Sequence, residues 1–540
     1  MFANVPAVLS FDESLYDLGE IKVVGSDKSQ SFDDQKKVPV RENNYLDFDR
    51  HVSDDKITFI EEALTDKDSY ALNLSTDDPF VSCFDIAYGS RNSSRIYLKD
   101  NFESWKSDKF NVELQGYRTK TDGWRQNDAR SELDIDLKID VKVDPVSEFH
   151  GKLGIMNKRV LMNGPESNVT RDSRYDDRKI SGNFGFTREY NKSSDFLFDL
   201  KWLDYDRDVK ITDHSIFSRQ ENRAVEFKSQ YNLMLSGKNL FSIGYDYFND
   251  NLDRTEIFSS VSPTQNIDYS YSLHNFFVQR DIDISNSAQL ILRGDYDIHS
   301  EDEEFFSPLA RIQYRNYEKT EIAFEGGKAF NRKTFEHILF ERDFVSPLIN
   351  EDYTASDMSF VSFSARHVFD NNLSGGFKLT SSNIKNYSYY EDDAAGIERY
   401  HLRYAPGDVD SLKLDLNAKY LFSQKFTGEM KYFYENTELP AGTQAPYVPK
   451  DRMELNLYYN SLKGCKIKLT EEYQGSRYAD AANKKSIDSY LLLHAKLTLD
   501  YHENIEPYLS ITNLFDKDHE DRFGYSGKPR TIMGGINVKF

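Results

Sequence analysis

Residues 531–540 read TIMGGINVKF. Ile532, Gly534, Ile536, Val538 and Phe540 share one face, and Met533, Gly535, Asn537 and Lys539 share the other. A period of two places successive side chains on opposite sides of a strand. One side here is suited to oil and the other to water, and the stretch ends on an aromatic ring. This predicts a membrane-spanning strand between lipid and a polar lumen.

The pattern recurs outward from this end. Leu491, Leu493, Ala495, Leu497 and Leu499 alternate with Leu492, His494, Lys496, Thr498 and Asp500. Met453, Leu455, Leu457 and Tyr459 alternate with Glu454, Asn456, Tyr458 and Asn460. Leu412, Leu414, Leu416, Ala418 and Tyr420 alternate with Lys413, Asp415, Asn417 and Lys419. Far upstream, Leu133, Ile135, Leu137, Ile139, Val141 and Val143 alternate with Glu132, Asp134, Asp136, Lys138, Asp140 and Lys142. A soluble sandwich yields a few such strands; it rarely fills the second face with charge over most of a chain.

Connection lengths alternate too. Tight turns fall at 144–146, 191–194, 236–238, 284–286, 316–319, 370–372, 423–424, 461–464 and 501–504. Longer polar connections fall at 158–177, 249–270, 331–356, 384–410, 436–450, 474–489 and 516–529. That asymmetry is the one expected of tight periplasmic turns and longer external loops. Counting back to about Ser82 gives roughly 22 strands. The expected fold is therefore an all-β, closed, antiparallel transmembrane barrel over residues 81–540, preceded by a mostly flexible periplasmic tail over residues 1–80. Closure matters because every backbone amide in lipid needs a partner.

Composition agrees. The 540 residues are only 39% hydrophobic, and no apolar run approaches the roughly 20 residues of a spanning helix. The net charge of −22 argues against nucleic acid as a partner, because phosphate contacts require a cationic surplus. Cys83 and Cys465 are read as two isolated thiols. The opening MFANVPAVLS lacks a basic segment and a full apolar core, so a secretory signal is expected to have been removed or to lie outside this sequence.

Residues 505–540, IEPYLSITNLFDKDHEDRFGYSGKPRTIMGGINVKF, resemble the end of TonB-dependent receptors. The resemblance is carried by Asn513, Leu514, Phe515, Asp516 and Lys517, then Gly524 and Tyr525, then Pro529 and Arg530, and a last strand closing on Phe540. PYVPKDRMELNLYY (446–459), EEYQGSRYAD (471–480), KAFNRKTFEHILFERDF (328–344) and GYRTKTDGWRQND (116–128) are similar to barrel segments of the same family. Ile21, Lys22, Val23 and Val24 resemble the short apolar stretch where the family's energy-coupling box sits. The resemblance implies a cell outer membrane location in a diderm bacterium. It also implies a periplasmic N-terminus, contact with outer-membrane lipid and lipopolysaccharide, and a TonB-type partner. The family's globular plug has no counterpart in residues 1–80, which are charged and lack strand–helix alternation. The plug is expected to be reduced, absent or supplied by a separate lumen-filling partner. An open barrel of this size would leak, so the chain in planar bilayers is expected either to conduct strongly or to need a partner to close.

Candidate chemistry is sparse. The 11 histidines are dispersed with no pair at i, i+4, so no metal site is expected. Asp204, Asp206 and Asp208, or residues 301–304, could take calcium or form a solvated rim bridged to lipopolysaccharide. No nucleophile, phosphate-loop or dinucleotide motif is present, so neither an enzyme nor a bound cofactor is expected. Arg332, Arg342, Tyr389, Tyr390, Arg477, Tyr478 and Arg522 fall in long loops or at the outer rim. Such residues grip anionic or planar ligands, and equally serve as interfacial aromatics and rim ion pairs. The reading that follows is a transport barrel for a nutrient such as a siderophore-like metal chelate or a small oligomer. The alternative is a plugless barrel acting as a surface scaffold.

Overall fold

The structure, a computed structural model, describes residues 82–540 except 102–109, 125–128, 162–172, 192–193, 212–215, 237–238, 259–264, 300–303, 317–318, 332–333, 337–354, 370–371, 393–399, 462–463 and 503. The chain divides into two units, Met1–Phe80 and Val81–Phe540. The described residues belong to the second unit, and Ile21–Val24 lie outside them.

Twenty-two strands form one antiparallel sheet. Sequential neighbours pair, and the first strand, Cys83–Gly89, pairs with the last, Thr531–Lys539, through rungs from Cys83 with Lys539 to Gly89 with Met533. The sheet therefore has no free edge, which is what lipid demands of a β structure. All nine tight turns read from the sequence sit between paired strands at one end of the barrel. The long connections gather at the other end.

The alternation fixes which side faces lipid. Ile86, Leu133, Ile155, Phe184, Val225, Ile243, Val361, Leu412, Leu491 and Ile536 are exposed on the outer surface. Inward positions between them carry Asp, Glu, Lys, Arg and Asn. Tyr420, Phe422 and Phe426 form a ring contact at the tight-turn end, with centroids 4.6 and 4.9 Å apart. Phe540 is also exposed there, as expected of an interfacial aromatic belt.

Several expected loops are shorter than the polar sequence suggested. Residues 249–258 and 265–270 continue the strands Asn239–Phe258 and Gln265–Asp283, and Arg174–Asn191 begins before residue 177. Strands in this part run to 21 residues, about twice the 9–11 that span a bilayer. Above the membrane the outer face meets water. The apolar alternation then stops while the ladder continues. Salt bridges line that outer face instead: Arg159 with Asp176, Arg223 with Asp204 at 3.6 Å, and Arg223 with Glu221 at 3.2 Å.

One polar lock secures the closing seam. Tyr508 faces Gly535 on the last strand, and Gly535 faces Ala87 on the first. With no side chain at Gly535, the phenol crosses over it; a Cβ there would collide with the Tyr508 hydroxyl. That hydroxyl donates to Asp85 Oδ1 at 3.0 Å and accepts from Arg95 Nη2 at 2.5 Å. Three strands are thereby joined by one buried cluster.

Candidate functional site

Three loops, residues 439–450, 475–489 and 513–530, build one side of the outer mouth. Asn513 organises the base of the third. It adopts φ 50°, a left-handed conformation that Asn tolerates better than most residues. Its side chain accepts from Lys517 N at 2.8 Å and donates to Lys517 O at 2.9 Å and Lys528 O at 3.2 Å. Asp516, also left-handed at φ 55°, accepts from Arg530 N at 2.7 Å. Gly524, at φ 75°, closes the hairpin tip. Leu514 N donates to Leu493 O at 2.7 Å, while Phe515 points outward at 75% exposure. The C-terminal signature residues thus shape a loop.

The second loop docks onto this one, and the first docks onto the second. Tyr447 N donates to Tyr478 O at 2.6 Å. Gln444 and Asn483 exchange two bonds, of 2.8 and 2.9 Å. Tyr447, Ala479 and Ile487 pack into a small apolar core beneath. Arg477, 1% exposed, donates through Nη2 to Glu520 O at 2.9 Å and Asp521 O at 2.8 Å. Its guanidinium lies 5.7 Å from the Tyr490 ring, which lies 4.8 Å from the His519 ring. His519 approaches Asp521 at 3.5 Å. Burial raises the Asp521 carboxyl above its ordinary range, against the pull of His519 and Arg477. Trp124 Nε1 donates to Ser526 O at 3.3 Å and so ties the third loop to the top of the strand Phe110–Thr121.

Of the sequence candidates, Arg477 and Tyr478 are adjacent, and Arg477 grips the segment that carries Arg522. Arg522 is buried with its guanidinium 4.8 Å from the Tyr525 ring. Arg477 is thus a tie between two loops, and Arg522 packs within its own. Tyr389 and Tyr390 belong to a separate hairpin, Ser388–Asp392 with Tyr400–Tyr404; Tyr390 is buried and Tyr389 half-buried. Arg332 and Arg342 lie outside the described residues. Asp204 meets Arg223 on the outer face.

Sequence reasoning did not single out the turn at residues 334–336. Phe335, 3% exposed, donates its backbone N–H to Asp250 Oδ2 at 2.7 Å, and Glu336 pairs with Lys179. Asn222 Nδ2 donates to the other oxygen of Asp250 at 2.5 Å. Asp250, Lys179 and Asn222 alternate with the lipid-facing positions of their strands, so they lie on the inner wall. Beside them Ala224, Phe248 and Leu273 form an apolar patch on which Phe330 packs. The start of the 331–356 loop is therefore folded against the lumen wall. Its signal in the sequence was two phenylalanines, Phe330 and Phe335, flanking a polar run.

Further stabilisation comes from a buried ion pair on the inner wall. Arg207 donates to both oxygens of Asp177 at 2.7 and 2.8 Å, Tyr205 adds a third bond at 2.9 Å, and the Tyr175 ring lies 4.4 Å from the guanidinium.

No family model matches the chain. A vitamin B12 transporter, BtuB, of Photobacterium profundum is 30% identical over 91 residues. That match spans 17% of this chain and 15% of the transporter. Among solved structures, the unliganded ferric citrate transporter FecA superposes with TM-score 0.68 at 17% identity, over 85% of this chain and 79% of its own. The ferric-catecholate import receptor Fiu of E. coli K12 gives 0.68 at 14% identity, over 85% and 82%. The siderophore receptor PiuA of Acinetobacter baumannii gives 0.70 at 13%, also over 85% and 82%. Closure at 22 strands, the apolar outer wall and these superpositions agree: the chain has the outer-membrane barrel fold of the TonB-dependent receptors.

Proposed function

We propose that this protein is an outer-membrane import receptor that captures a nutrient at its mouth and passes it through the barrel. A metal chelate of siderophore type heads the ligand classes, ahead of a small oligomer. The observation that carries the reading is the mouth, where three loops are tied to one another by buried bonds. A preorganised rim is what a receptor needs, because ordering loops on binding weakens affinity. The names of the superposed structures and of the B12 transporter support the class of cargo. Tyr389 and Tyr478, half-buried on separate hairpins, are the proposed ligand contacts among the described candidates. Coupling to a TonB-type protein through Ile21–Val24 belongs to the same proposal, as does a lumen occluded by a reduced plug or a separate chain.

The test is calorimetry on the purified full chain with ferric chelates, corrinoids and copper complexes. It is paired with uptake of the same labelled compounds by cells with and without the protein. Saturable binding by one class, with uptake lost in the deletion, is expected. No binding and unchanged uptake across the panel would sink the reading.

A further inference from the structure

The outer wall carries a notch that closure does not explain. It has a volume of about 860 Å³ and lies across the strands Asn239–Phe258, Gln265–Asp283, Ala288–His299, Glu304–Asn316 and Thr320–Asn331. Its floor is made of small residues on the lipid face. Gly294 pairs with Pro308, and Ala310 pairs with Gly326. Its rim is made of large ones, Ile243, Phe276, Val278, Leu292 and Phe306, all exposed. A trench in an apolar wall fits a hydrocarbon chain.

A charge sits at the lower end of the trench. Arg280 pairs with Leu292, an exposed lipid-facing residue, and is itself exposed. No hydrogen bond or ion pair among the described residues engages its guanidinium. It stands three residues before Asp283, where the strand ends at the tight-turn side. That is roughly 10 Å along the strand, within reach of the headgroup layer for a long side chain that extends toward water. An arginine facing hydrocarbon is costly unless its head finds an anion.

We propose that this notch is a binding site for an anionic phospholipid of the periplasmic leaflet. One acyl chain would lie over Gly294, Pro308, Ala310 and Gly326, with the phosphate on Arg280. Arginine matches phosphate oxygens through paired N–H donors. A second copy of this chain suits the site less well: a two-fold contact would bring up the same lining, which contains no carboxylate for Arg280.

Native mass spectrometry of the full chain, titrated with phosphatidylglycerol against phosphatidylcholine, tests this. A saturable single adduct with phosphatidylglycerol is expected. Arg280→Ala and Arg280→Gln should raise the half-saturating concentration roughly tenfold, and Ala310→Phe should do the same by filling the trench. Arg188→Ala is the control, since Arg188 is also exposed on the lipid face three residues before the end of its strand, but stands against Tyr190. It should change nothing. Heat-dependent gel mobility confirms that each variant is folded; where Ala310→Phe is not, Ala310→Leu replaces it. Equal weakening by Arg188→Ala, or an unchanged titration with Arg280→Ala, would overturn the proposal. So would a dimer that Ala310→Phe dissociates without loss of lipid, which would assign the face to a second copy.

Discussion

The two halves of the barrel wall solve the same problem differently. Between Ser147 and Asp283 the strands run 15–21 residues and rise well past the membrane as sheet. Between Cys465 and Lys539 they run only 8–10 residues, close to the minimum for a span, and the outer rim is made of loops. In the first half, stability above the membrane comes from the ladder itself, with Arg207 and Asp177 inside and Arg223 and Asp204 outside. In the second it comes from single residues that each hold several backbone groups, Asn513 and Arg477 above all. A repeated ladder spreads its stability over many rungs; a tied loop concentrates it in a few side chains.

The largest expected effect lies at the closing seam, where the short-stranded wall meets the first strand. Gly535→Leu should prevent closure, because the new side chain occupies the path of Tyr508, and a sheet that cannot close leaves two strand edges unpaired in lipid. Folded, heat-modifiable protein should be lost, whereas Tyr508→Phe should still fold. A well-folded Gly535→Leu barrel would remove the lock from the account.

Next is Arg207→Met, which strands the buried Asp177 carboxylate. Breaking a buried pair costs about 3–5 kcal/mol, visible as a lower denaturant midpoint. The double variant with Asp177→Leu should recover much of it. No loss would mean that the tall wall draws nothing from its interior pairs.

Arg477→Met should loosen only the loop rim. Losing two bonds from a charged donor costs about 1.5–3 kcal/mol each. Proteolytic nicking within residues 513–530 should accelerate while the melting of the strands stays put. If the whole barrel melts earlier, the loops are not a separate layer.

The smallest effect is expected from Arg223→Ala. Its ion pairs are exposed on the outer face, where such pairs contribute about 0–1 kcal/mol. A loss clearly above that range would show the outer ladder to be a network.

The sequence revealed the transmembrane part of this architecture well. Leu133 to Val143 and Leu491 to Leu499 alternate because each face meets one solvent, and that rule is local. It fell silent at residues 249–258, where water lies on both sides and Asn251 and Asp253 are as suitable outward as any apolar residue. It was silent also on Phe335, whose partners Asp250 and Tyr269 are long-range. Arg477 and Arg522 were legible as rim arginines. That they grip backbone carbonyls and neighbouring rings depends on how three loops pack, which no spacing encodes.

The lock at Tyr508, Arg95 and Asp85 also keeps time. Its phenol and carboxylate are 423 positions apart in the chain, and their meeting requires the final strand to have zipped against the first. A cysteine placed at Lys539, directly opposite Cys83 on the first strand, would likewise crosslink only in finished cylinders, and its appearance during biogenesis would date the moment at which insertion is complete.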